Sequence, residues 1–259
     1  MTKKMSRATA IVVVQARSSS NRFPNKVLQP ILDKPMLVHQ LDRIRKCKQI
    51  NKLIVATSDH TSDDRLADIC RSFGHTVKRG SLTNVVQRFQ KALEDEKFDN
   101  LVRLTGDCPL ADPDLIDQVI TEHIKQDADY TTNALNPSFP DGLDVEVLRK
   151  WTFEYVFENA HTPSQLEHVT PYIYENQDIF KIHHVVSEID LSAYRWTVDE
   201  YVDLDLVRQI YENLYPSNPD FSMGDILDFI KSRLTELPQN GHISRNEGYA
   251  KSIKMRKKI

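Results

Sequence analysis

Residues 10–28 read AIVVVQARSSSNRFPNKVL, and this stretch decides the fold. It opens on a short run of apolar, mostly β-branched residues at 11–14. That composition suits a strand buried on both faces, as in a parallel sheet. The character then changes abruptly. Arg17, Arg22 and Lys26 fall among Ser18, Ser19, Ser20 and Asn21. Pro24 closes the loop, because it fixes φ and offers no amide donor. In open α/β sheets ligands sit beyond the carboxyl ends of the strands, and this loop leaves that end. Guanidinium groups pair bidentately with phosphate oxygens, so a nucleoside triphosphate is the natural occupant. A solvated surface loop with ordinary charges has the same composition, and the loop alone does not choose between the two.

Neither GxxxxGK[ST] nor GxGxxG is present, and the chain has 7 Gly in 259 residues. Side chains, not a glycine cradle, must hold any phosphate here, which argues against P-loop ATPases and Rossmann dehydrogenases. The composition is that of an ordinary globular protein, 40% hydrophobic and 27% charged. A net charge of −3 gives no general attraction to nucleic acid or to anionic membranes. Cys47, Cys70 and Cys108 are too scattered for a disulfide framework or a CxxC metal site, so a cytoplasmic location fits best. No stretch is long enough for a transmembrane helix. The start, MTKKMSRATAIVVV, superficially resembles a signal peptide, but its apolar run is too short and reads as the first strand.

Apolar runs and amphipathic runs then alternate. Helix spacing appears at 36–46, 85–93 and 115–124; strands are expected at 53–56, 76–79 and 101–105. Thr61 followed by Asp64 resembles a capping box for a helix through Phe73. This βαβα order implies a parallel or mixed sheet with helices on both faces. After Asp129 the regularity breaks. NPSFPDG at 136–142 predicts a loop, 143–148 a strand, 151–159 a helix, and 165–176 a helix that Pro171 bends or splits. Residues 181–186 and 194–198 are candidate strands, and 201–214 and 223–234 amphipathic helices. The basic tail KSIKMRKKI reads as a frayed terminus. One domain over 1–259 is expected.

Asp107 follows the strand at 101–105 and so projects at the same sheet edge as the cationic loop. Mg²⁺ takes oxygen ligands from one or two carboxylates plus substrate phosphates, and Asp107 suits that role. Asp199, at the end of another expected strand, is a candidate second ligand. Without metal, two such carboxylates would repel, and losing one would stabilise the fold. Each aspartate could instead cap a turn or helix. Asp144 and Glu146 share one face of a strand and could accept hydrogen bonds from sugar hydroxyls; a solvent-facing edge would look the same. Asp59, Asp63 and Asp64 suit a helix N-terminus, although Asp59 lies close enough to the strand end to face the cleft. The histidines lack metal spacing, and Cys108 lacks a partner base.

Several stretches then appear in order: QARSSSNRFPNKVL (15–28), ATSDHTSDDRL (56–66), RLTGDCPLADPDLID (103–117), FPDGLDVEVL (139–148), EHVTPYIYEN (167–176), RWTVDEYVDLDLV (195–207) and RNEGYAKSIK (245–254). Together they resemble the spore coat polysaccharide biosynthesis protein F group of cytidylyltransferases, relatives of the synthetases that activate sialic acid and keto-deoxyoctonate with CTP. The resemblance covers nearly the whole chain. It implies a three-layer Rossmann-like α/β nucleotidyltransferase fold with a mixed sheet and a small projecting segment, roughly 151–190, that builds a homodimer.

The resemblance further implies that Arg17, Arg22 and Lys26 hold the CTP phosphates. Ala16, Ser18, Thr57, Asp59 and Gly106 would complete the nucleotide site. Asp107 and Asp199 would bind Mg²⁺, with Arg17, Lys26 and Asp107 catalytic. Asp141, Asp144, Glu146, Glu167 and His168 would line the pocket for an acid sugar or a phosphorylated small molecule. One departure is visible: relatives commonly place an acidic residue where this chain has Asn84, ahead of Val85-Val86-Gln87-Arg88-Phe89. A glycosyltransferase of similar fold would want a DxD motif, and Gly106-Asp107-Cys108-Pro109 lacks it. A non-catalytic binding protein would not need both aspartates and all three cations.

Aromatic residues of the 151–190 stretch (Trp151, Phe153, Tyr155, Phe157, Tyr172, Tyr174 and Phe180) form either an intrachain core or, for some of them, the surface of the homodimer.

Overall fold

The computed structural model describes residues 8–20, 22–243 and 245; the basic tail lies outside them. From the amino end, strand β1 (Ala10–Gln15) leads through the cationic loop to a small hairpin, β2 (Pro30–Ile31) and β3 (Lys34–Pro35). Helix α1 (Met36–Ile44), β4 (Lys52–Ser58), α2 (Asp64–Ser72), β5 (Thr76–Gly80), α3 (Val85–Leu93), β6 (Asn100–Thr105) and α4 (Pro113–Lys125) continue the alternation. The second half contributes β7 (Tyr130–Thr132), β8 (Glu146–Arg149), α5 (Lys150–Asn159), α6 (Pro163–His168), α7 (Pro171–Glu175), β9 (Ile182–His184), α8 (Tyr201–Leu214) and α9 (Met223–Ser232).

The main sheet has seven strands in the order β5-β4-β1-β6-β8-β7-β9. Strand β8 runs antiparallel to both neighbours, and the other pairings are parallel, so the sheet is mixed. The chain steps outward from β1 through β4 to β5, then returns to place β6 on the other side of β1. The carboxyl ends of β1 and β6 therefore flank a topological switch point, where open α/β sheets take their ligands.

Alternation along β1 divides the interior in two. Ala10, Val12 and Val14 face one core with α1, α4, α8 and α9, while Ile11 and Val13 face a second with α3, α5 and Phe180. Burial on both sides explains why β1 reads as an unbroken apolar run.

Several expectations are corrected. Residues 194–198 form no strand. Trp196 and Thr197 both donate their amides to the Asp141 carbonyl, which leaves only an isolated bridge between Asp141 and Arg195. The strand at 143–148 begins only at Glu146, because Asn133 takes the ladder's place and bonds Leu143 O and Val145 N at 2.8 Å each. Thr61 and Asp64 form no capping box. A short 3₁₀ turn over Thr61–Asp63 precedes α2, and Asp63 turns inward. Pro171 does split its helix, into α6 and α7. Within the 151–190 stretch, part of the aromatic set packs on the sheet. Phe153 and Phe180 are buried in the second core, Tyr155 and Tyr172 pack against it, and β9 joins the sheet. Trp151 and Phe157 stay exposed, as do Val186 and Ile189.

Candidate active site

A cleft of about 560 Å³ opens over the carboxyl ends of β1 and β6 and runs across β8 and β7. Ala16, Arg17, Arg22, Lys26, Gly106, Asp107, Asp141, Asp144, Glu146, Glu167, His168 and Asp199 all line it. Ser18, Thr57 and Asp59 do not. Ser18 and Thr57 are buried, and Asp59 is exposed beyond the end of β4, its amide bonded to Gly80 O.

The centre of the cleft is one ammonium group. Lys26 Nζ donates to Asp107 Oδ2 at 3.0 Å, Asp199 Oδ1 at 2.9 Å and the Val198 carbonyl at 2.8 Å. Its three donors are thereby used. Arg22 also reaches Asp199 Oδ1 at 2.9 Å, and Arg195 reaches Asp199 Oδ2 at 3.0 Å. Burial opposes ionisation of Asp107, yet the charge and hydrogen bond of Lys26 outweigh it and hold its pKa at about 2. Asp199 is lowered too, again against burial and with Lys26 as the main opposing cause. Both carboxylates are therefore ionised at neutral pH. The expected bare repulsion between them is corrected: Lys26 sits between them.

Neither aspartate is a cap. Asp112 caps α4, accepting from Leu115 N at 3.0 Å, and a reciprocal box of Glu200 and Asp203 starts α8. The local backbone delivers Asp107 and Asp199 to the same point. Val198 N and Thr197 Oγ1 both donate to the Asp107 carbonyl, at 2.8 and 3.3 Å. Gly106 permits the close packing beneath, since a Cβ there would lie 2.8 Å from Ala16 Cβ. Gly142, at φ +106°, does the same for the neighbouring loop, where a Cβ would lie 2.5 Å from Thr197 N.

This donor set fits a divalent cation. Two ionised carboxylates from separate segments converge on one point, and the Lys26 ammonium stands there as a positive group. Among the described residues no cluster of three or more metal-binding side chains exists, so phosphate and water oxygens would complete the shell, as Mg²⁺ commonly requires.

The acidic residues over β8 and β7 are each already matched to a cation. Arg17 pairs with Glu167 at 3.2 Å, Arg195 with Asp141 at 2.8 Å, Arg245 with Asp144, and Arg103 with Glu146. Tyr130 donates its hydroxyl to the other oxygen of Glu146. Each oxygen of Glu146 thus already accepts one hydrogen bond within the protein. Burial raises Asp144 to about 7 despite Arg245, and burial lowers His168, which favours its neutral form.

Residues that sequence reasoning missed include Arg88, Arg103, Tyr130 and Arg195 in the lining, and Asp63 beneath it. Asp63 accepts from Ser18 N at 2.7 Å and from Ser58 Oγ, tying the cationic loop to the end of β4. Asp63→Ala should cost on the order of 3 kcal/mol, since it strands buried donors, and should raise the Michaelis constant for nucleotide by loosening the loop. Chemical denaturation and initial rates check both; an unchanged constant in the folded enzyme would show that the anchor serves stability alone. Asn84 caps α3, accepting from Gln87 N at 2.8 Å. Asn and Asp cap equally well, so the departure keeps the helix start intact.

Comparison with known proteins gives the family. The sequence profile of a family described as "Cytidylyltransferase" matches residues 11–246. The spore coat polysaccharide biosynthesis protein SpsF of Bacillus subtilis is 32% identical, over 85% of this chain and 93% of that one. A cytidylyltransferase from Leptospira borgpetersenii superposes with a TM-score of 0.85 at 28% identity, covering 90% of this chain and 98% of that one. CMP:2-keto-3-deoxy-manno-octonic acid synthetase, solved complexed with CTP, shares the fold at a TM-score of 0.62 and 18% identity, covering 79% of this chain and 99% of that one.

Proposed function

Because the chain belongs to the cytidylyltransferase family, we propose that it transfers CMP from CTP to an acid sugar or a related surface-glycan precursor, releasing pyrophosphate with Mg²⁺ as cofactor. One observation carries this reading: Lys26 gathers Asp107 and Asp199 at the mouth of the cationic loop, at the switch point of the sheet. Arg17, Arg22 and Lys26 bind the triphosphate and orient it, leaving the α-phosphorus open to in-line attack by the acceptor hydroxyl. The same cations stabilise the charge that builds on the transferred group and on departing pyrophosphate. Mg²⁺, held by Asp107 and Asp199, would supply further charge neutralisation. Ala16 and Gly106 bring backbone close to the nucleotide, and the far end of the cleft takes the acceptor.

A pyrophosphate-release assay crossing four nucleotides with a panel of acid sugars, with and without Mg²⁺, tests the proposal. Release with CTP alone, dependent on both acid and metal, is the expected result; CTP binding without turnover of any acceptor would reduce the protein to a binding module.

We also propose a homodimer. Val186 and Ile189 are 56% and 69% exposed, and Trp151, Phe157 and Ile179 add apolar surface on the same part of the chain. Apolar groups left in water at this density suit a partner surface. Sedimentation should give twice the chain mass at micromolar concentration; a pure monomer would count against it.

A further inference from the structure

The register of the sheet places a charged pair where an apolar one would serve stability better. Arg103 on β6 stands opposite Glu146 on β8, one step beyond the apolar pair Leu101 and Leu148 on the same face. Both charged side chains are about nine-tenths buried. Burying two charges costs desolvation that a hydrophobic pair would avoid, so stability does not explain the pair.

The guanidinium is held on two sides. Nε donates to Gln15 Oε1 at 3.1 Å, Nη1 donates to Glu146, and Tyr130 holds the second Glu146 oxygen. Nη2 makes no hydrogen bond among the described residues, and Arg103 lines the cleft. A clamped guanidinium with one free edge is a preorganised donor, fixed before its ligand arrives. The other acidic groups at this end are paired with cations, and His168 favours its neutral form, so an incoming anion meets no bare carboxylate.

Resting on the cytidylyltransferase reading, we propose that Arg103 is the residue that recognises the carboxylate of the acceptor, with Gln15, Tyr130 and Glu146 as its positioning residues. The cleft would then select sugars that carry an acid group beside the attacking hydroxyl over their neutral counterparts.

The test compares N-acetylneuraminate and 3-deoxy-manno-octulosonate, each beside its C1 carboxamide, by kcat/KM for pyrophosphate release, with CTP affinity measured by calorimetry. The wild type should prefer acid to amide by about a hundredfold or more, because a site built to pair an ion rejects an analogue lacking it. The double variant Arg103→Gln/Glu146→Gln removes both buried charges together. It should stay folded, keep its CTP affinity, and lose most of the preference through a higher acceptor KM. Arg103→Lys keeps a charge opposite Glu146 but not the planar fork, and should lose about tenfold in preference. Full preference in either variant, or none in the wild type, overturns the proposal and leaves the cytidylyltransferase reading standing. Wild type that binds CTP but turns over no acid sugar overturns that reading, and this inference with it.

Discussion

Asp107→Asn should lower pyrophosphate release by about a thousandfold or more, and Asp199→Asn should do nearly the same. Each substitution keeps the side-chain shape and removes one of the two negative charges that meet at Lys26. The double variant should be little worse than either single, because residues acting as one unit lose most of their effect with the first lesion. Stability should follow a separate rule. Lys26 holds the folded-state pKa of Asp107 at about 2, below the ordinary carboxylate range, so its ionised form stabilises the fold at neutral pH. That contribution is present above about pH 4 and lost as pH falls through about 2. Asp107→Asn should therefore lower Tm at pH 7 by several degrees and flatten the acid limb of the stability curve. Melting curves and rates for the singles and the double, across a Mg²⁺ titration, decide the matter. Purely thermal, additive defects with full turnover in the folded fraction would remove these aspartates from the chemistry.

Much of this site was legible because its parts sit at strand ends. The apolar run of β1, the cations after it, and Asp107 after β6 announce themselves in one dimension, and a parallel sheet aligns such ends automatically. The helices were legible where apolar spacing was regular, as in α3 and α8, whose limits match those expected. Other parts depend on pairing that no local pattern encodes. Strand β7 is three residues long, Tyr130–Thr132, too short for alternation to register. Arg103 is a single cation inside an apolar strand and acquires meaning only when β8 places Glu146 opposite it. The stretch 194–198 alternates like a strand, but Asp141 O captures two of its amides and bends it into a loop. Asp63 looks like a helix-start residue; its service to Ser18, far back in the chain, is purely tertiary.

On the proposed reading Lys26 has two tasks, holding the aspartates and binding phosphate, and Lys26→Met should separate them. In the structure the ammonium neutralises two carboxylates and pins the Val198 carbonyl. Breaking a buried pair from one side typically costs about 3–5 kcal/mol, because the charge left behind is uncompensated. Asp199 keeps Arg22 and Arg195, so the uncompensated group is chiefly Asp107. The variant should melt well below the parent in metal-free buffer. Millimolar Mg²⁺ or Mn²⁺ should restore much of that loss while shifting the parent little without nucleotide, since a ligand that binds only the folded state stabilises it by mass action. CTP affinity should fall by on the order of 1.5–3 kcal/mol, the worth of one charge-assisted contact to phosphate. Arg22→Ala should weaken CTP comparably but melt closer to the parent, because Asp199 retains two cations. The ammonium cannot serve both aspartates and a phosphate with three donors already used. With metal and triphosphate both bound, Lys26 would have to release an aspartate to reach a phosphate, and a cation held by Asp107 and Asp199 would supply the positive charge that the ammonium supplies here. If Lys26→Met lowers Tm yet keeps the parent's CTP affinity in the folded state, and gains no extra stabilisation from metal, Lys26 is a structural strut and no such release occurs.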